Sequence, residues 1–108
     1  MTRRHEAALA ALADPNRLRI VETLRRAPVR AGELADAVGL SPPALSRHLR
    51  ALKKAGLVEE THPEFDARVR VYALKREGLE AIKSWVDETD RLWAKQLAAF
   101  KQKVESGR

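Results

Sequence analysis

The chain has 108 residues and a mass of 12.1 kDa, the size of one ordinary domain. Hydrophobic residues make up 44% and charged residues 33%, a soluble globular composition that excludes a disordered chain. A net charge of +6 and a pI near 10.2 point to a polyanionic partner, either nucleic acid or an acidic membrane surface. Cysteine is absent, which excludes disulfides, thiolate metal sites and a cysteine nucleophile. No apolar run approaches the roughly 20 residues of a membrane span. Met1-Thr2-Arg3-Arg4-His5-Glu6 lacks the apolar stretch of a signal peptide, so the expected address is the cytoplasm.

Taken in chain order, His5 to Ala13 is rich in Ala and Leu and reads as a short helix. Asp14-Pro15 then starts a second helix, with Asp14 as the cap and Pro15 in the first position. Leu18, Ile20, Val21 and Leu24 follow at helical spacing, and Pro28 closes it. A third helix is expected from about Ala31 to Val38, with Leu34, Ala35 and Val38 inward and Gly39 as its left-handed stop. Ser41-Pro42-Pro43 repeats the cap-and-proline start, and a fourth helix is predicted from Pro42 to about Lys54. It buries Leu45, Leu49 and Leu52 and stops at Gly56. The period then changes. Leu57 to Thr61 and Arg68 to Leu74 read as two strands joined by the turn-like stretch from His62 to Ala67. In the second strand Val69, Val71 and Ala73 alternate with Arg68, Arg70 and Tyr72. The last helix is predicted from about Glu77 to Val104, roughly 40 Å long. Glu77, Glu80, Asp87, Glu88 and Asp90 crowd its first half, and Arg91, Lys95, Lys101 and Lys103 its second. That order suits the helix dipole. The expected fold is mainly α with a small β-hairpin, in one domain spanning 1–108, with the hairpin between the fourth and fifth helices.

Two short helices joined by Gly39-Leu40-Ser41 and followed by a hairpin make a winged helix-turn-helix, whose second helix enters the DNA major groove. Its outward residues are Pro43, Ser46, Arg47, His48, Arg50, Lys53 and Lys54. From Ser41 to Lys54 there are four full positive charges and no acid. A basic helix face can be merely solvated. The glycine stop, the Ser-Pro start and the following hairpin together favour DNA.

Asp14-Pro15-Asn16-Arg17-Leu18-Arg19-Ile20-Val21, the segment from Leu40 to Val58 around Ser46-Arg47-His48-Leu49, and Asp66 to Leu74 resemble the ArsR-type winged-helix repressors over roughly residues 6–78. Ala67 stands where those proteins often carry a glycine. The resemblance implies a homodimeric transcriptional repressor on an imperfect palindrome. By position it places Pro43, Ser46 and Arg47 at bases. Ser41, His48 and Arg50 fall near the backbone, and Arg68 and Arg70 in the wing, with Lys53 on the same basic face. The family is best known for metal sensing, and there the sequence departs. The paired cysteines of one site are replaced by Arg30-Ala31-Gly32, and the C-terminal helix has Asp87, Glu88 and Asp90 but no histidine. The better match is the branch that lacks both sites, with no cofactor and no metal effector. His62, Glu64 and Asp66 are read as turn residues, not as a nitrogen/oxygen metal cluster.

An enzyme reading finds little. Ser41, Ser46, Ser84 and Ser106 lack a base and orienter, and there is no glycine-rich phosphate loop. The competing function is a winged-helix module for protein interaction or weak RNA binding. Leu79, Ile82, Val86, Trp93, Leu97 and Phe100 form one stripe on the last helix, beyond what a monomer of this size can cover. The expectation is a homodimer built on helices 1–13 and 77–104, with Leu9 and Leu12 facing the stripe. Trp85, Trp93 and Phe100 could line a small-molecule pocket, but aromatic residues at helical spacing are first read as core or interface.

Overall fold

A computed structural model describes residues 3–107. Met1, Thr2 and Arg108 lie outside the described residues, so the first two positions of the leader reading have no structural counterpart. The elements run α1 (Arg4–Leu12), α2 (Pro15–Leu24), β1 (Val29–Arg30), α3 (Ala31–Val38), α4 (Pro42–Lys54), β2 (Val58–Thr61), β3 (Val71–Leu74) and α5 (Arg76–Ser106).

The predicted boundaries hold where side chains or glycines fix them. The Asp14 carboxylate accepts from the backbone N–H of Asn16 at 2.8 Å and of Arg17 at 3.2 Å, with Pro15 in the first turn. Arg17 Nε in turn donates to the Ala11 carbonyl at 2.7 Å, so one arginine ties the end of α1 to the start of α2. Ser41 Oγ accepts from Ala44 N–H at the start of α4. Gly39 (φ 68°) and Gly56 (φ 74°) close α3 and α4 in the left-handed region. In each case the next residue donates back to a carbonyl five positions earlier, Leu40 to Ala35 and Leu57 to Leu52.

Most other boundaries fall within two residues of expectation, and three features differ by more. Helix α2 ends at Leu24, four residues before Pro28, and Arg25 to Ala27 form a turn. The sheet has three strands rather than two. Strand β1 pairs antiparallel with β3 (Val29 opposite Tyr72), giving the order β1-β3-β2, and Ala31 N–H donates to the Arg70 carbonyl. The second hairpin strand starts at Val71, so Arg68, Val69 and Arg70 belong to the loop. A third strand lets the small sheet bond its middle member on both sides, which a lone hairpin could not do.

The core joins α1, α2, α3, α4 and the sheet through Ala8, Ile20, Leu24, Leu34, Leu52, Leu57, Val58 and their neighbours. Leu45, Leu49 and Leu52 of α4 face inward as the spacing required. In β3 the buried residue is Tyr72, while Val71 and Ala73 are only half-buried. Helix α5 has 31 residues, about 46 Å of helix. Its first turns pack on α1 and on the turn after α4. From Lys83 to Gly107 every residue is exposed, and the molecule measures 72 × 29 × 27 Å.

Candidate nucleic-acid interface

Because Leu45, Leu49 and Leu52 are fixed in the core, the opposite side of α4 is forced outward. Ser41, Pro43, Ser46, Arg47, Arg50, Lys53 and Lys54 are exposed there. His48 is half-buried. At the start of α2 the Arg17 N–H, followed by that of Asn16, holds the Asp14 carboxyl below its ordinary range. Among the described residues Arg47, Arg50 and Arg70 make no ion pair, whereas Arg68 and Lys53 do.

Arg70 stands where the wing meets the helix-turn-helix. Gly32 and Ala35 of α3, Pro42 and Ser46 of α4, Arg70 and Tyr72 line one narrow groove. The structure therefore brings together Ser46 and Arg70, 24 positions apart in the sequence. Arg68 lies further out. Asp66 accepts its backbone N–H at 2.9 Å and its Nε at 3.2 Å, which folds the guanidinium back on the turn while leaving it 93% exposed. The same contacts, the backbone N–H first, hold the Asp66 carboxyl below its ordinary range.

Sequence reasoning missed the polar cluster behind the wing. The Tyr72 hydroxyl donates to Glu60 at 2.7 Å, and Lys53 Nζ lies 3.5 Å from the same oxygen and 5.9 Å from the Tyr72 ring. The tyrosine hydrogen bond, followed by the charges of Lys53 and Arg70, holds the Glu60 carboxyl below the usual range. Burial, followed by that carboxylate, pushes Tyr72 up to about 12. The signal available in the sequence was a tyrosine among the arginines of an alternating strand.

The residues expected at an interface between subunits split into two groups. Leu12 and Ile82 are half-buried and pack against the core of the same chain. Leu9, Leu79, Val86, Trp93, Leu97 and Phe100 are exposed, Trp93 by 55% and Phe100 by 63%. Trp93, Leu97 and Phe100 share one open apolar face with Leu92, Thr89 and Gln96. Trp85 is not on it. Its ring stacks on His5 of α1, 5.8 Å between centroids.

Residues 14–60, the stretch from the α2 cap to the second strand, match the profile described as bacterial regulatory protein, arsR family. The chain is 39% identical to the HTH-type transcriptional regulator Rv2034 of Mycobacterium tuberculosis over 101 residues, 94% of this chain and 89% of that protein. The chain belongs to the ArsR family. It is also 38% identical over 77 residues to the HTH-type transcriptional regulator YgaV of Escherichia coli, 70% of this chain and 75% of that protein. In structure it is similar to an ArsR-like transcriptional regulator from Rhodococcus sp. RHA1, with a TM-score of 0.81 at 32% identity over 95% and 94% of the two chains. This ArsR-family protein is thus a DNA-binding transcription regulator with a winged helix-turn-helix, and its relatives carry the names of regulators, not enzymes.

Among the described residues no helix is long and apolar enough to cross a membrane, and no three His, Asp or Glu side chains converge as metal ligands. In the wing, His62 and Asp66 are turned to other partners, the Val69 carbonyl and Arg68.

Proposed function

We propose that this regulator is a homodimeric repressor that binds a palindromic operator in double-stranded DNA. Helix α4 lies in the major groove, and the wing (62–70) lies along the neighbouring backbone. The observation that carries this reading is the outer face of α4, which holds Arg47, Arg50, Lys53 and Lys54 without an acid and has Arg70 beside Ser46. Ser41, Pro43, Ser46, Arg47, His48, Arg50, Lys53, Arg68 and Arg70 are the proposed contacts. Arg47, on an early turn, is the one suited to a guanine edge.

The dimer reading rests on α5. Its apolar face is exposed, as is Leu9 on α1, and no described residue covers it. An antiparallel crossing of two α5 helices sets Asp87, Glu88 and Asp90 of one against Lys95, Lys101 and Lys103 of the other. Two-fold symmetry then places the recognition helices about one DNA turn apart, roughly 34 Å.

The test is a gel shift with the DNA upstream of the protein's own coding region at two salt concentrations. Steep salt dependence together with preference over competitor DNA is the expected result. Salt dependence without preference would reduce the protein to a non-specific basic module, and no binding at either salt would favour a protein-interaction module.

A further inference from the structure

The wing is held to α4 through one carboxylate. Glu60 lies on β2, and three side chains converge on it. The Tyr72 hydroxyl donates from β3 at 2.7 Å, Lys53 approaches from α4 at 3.5 Å, and His62 Nε2 stands 3.7 Å from Oε2 at the neck of the wing loop. His62 closes that neck. Its Nδ1 lies 2.9 Å from the Val69 carbonyl, one residue before Arg70. Without this cluster the loop from His62 to Arg70 would be joined to α4 by little else that is polar. Among the described residues no other ion pair links α4 to the sheet.

We propose that Glu60 is a positioning residue of the DNA-binding face, which fixes the wing against the recognition helix and holds Arg70 beside Ser46. The inference rests on the DNA-binding reading above. It also runs against plain electrostatics. An acid on a basic face opposes phosphate, so neutralising it should strengthen binding if charge were its only role. A positioning role gives the opposite sign for specific binding.

The probe is a duplex that the wild-type protein selects from a randomised library, with a scrambled duplex as control. Affinity for both is measured in wild type, Glu60→Gln, His62→Gln and the double variant. Glu60→Gln keeps an acceptor for Tyr72 and loses the charge. It is expected to weaken the selected duplex about two- to fivefold, the scale of a half-exposed ion pair, with no loss on the scrambled one. His62→Gln should weaken the selected duplex in the same direction, and the double variant no further than the weaker of the two single variants. Hydrogen exchange should quicken in residues 62–70 of Glu60→Gln and not in α4. Tighter binding of both duplexes by Glu60→Gln, or losses that simply add in the double variant, would overturn the proposal. If the wild-type protein selects no duplex, it is the DNA-binding reading that fails.

Discussion

Gly78→Ala is the substitution that probes how α5 is seated. Gly78 is the buried residue of α5, and its N–H donates to the Gly56 carbonyl at 2.8 Å, in the turn that ends the recognition helix. A Cβ at this position would sit 2.7 Å from the Ala55 carbonyl oxygen, 3.0 Å from that of Gly56 and 3.0 Å from Leu57 Cδ2. Two of these neighbours are backbone and cannot rotate away. In a free helix Gly→Ala would gain about 1 kcal/mol. Overpacking against backbone costs about 3 kcal/mol, at the upper end of the usual range. The expected net effect is a loss of about 2 kcal/mol, which moves a urea midpoint down by about 1 M at typical slopes. The assay is urea unfolding followed by helical circular dichroism at fixed protein concentration, because a dimer's stability depends on it. The displaced α5 should also misplace the paired recognition helices and weaken operator binding. A more stable Gly78→Ala protein would show that α5 does not rest on this turn.

The other expectations follow from the same contacts. Tyr72 is the only tyrosine, so tyrosinate absorbance reads it alone, and its midpoint should lie near 12 in the folded protein and near 10 when unfolded. With the folded value raised, the stability it contributes is full below pH 10 and is lost between pH 10 and 12; a midpoint of 10 in the folded protein would contradict the Glu60 contact. Replacing Trp93 and Phe100 together by Glu should bring the light-scattering mass down to the 12.1 kDa monomer, and a wild type already at that mass would remove the dimer argument. Arg68→Ala should weaken all DNA sequences alike and lower the salt slope by about one unit; a loss confined to certain sequences would mean that Arg68 reads bases.

Much of this architecture was legible because short-range chemistry fixes it. Asp14-Pro15 and Ser41-Pro42 set helix starts through one side-chain oxygen each, and Gly39 and Gly56 set the stops through φ. Leu45, Leu49 and Leu52 decided which face of α4 is presented. What escaped depends on partners far along the chain. Two residues, Val29 and Arg30, are too few to show a period, and they form a strand only because β3 offers a free edge. The alternation at 68–74 marked a strand, yet Asp66 captures Arg68 in the turn and Tyr72, from the arginine-bearing set, takes the buried position. The stripe on α5 was read as uniform, but Ile82 meets the core whereas Trp93 and Phe100 lie beyond the end of the globule. On β2, Glu60 drew no notice in the sequence, because only the fold brings Lys53 and Tyr72 to it.

Whether α4 reads DNA sequence is decided at Arg47. Its side chain is exposed, makes no ion pair among the described residues, and follows the buried Leu45 by two positions. The measurement is binding of wild type and Arg47→Ala to every single-base variant of the selected operator. The expected result is a loss of about 1–3 kcal/mol per half-site on the parent duplex, with discrimination relaxed at one base pair in each half-site and kept elsewhere. A loss by the same factor on every variant would show that Arg47 touches only phosphate, and would contradict sequence reading by this helix face.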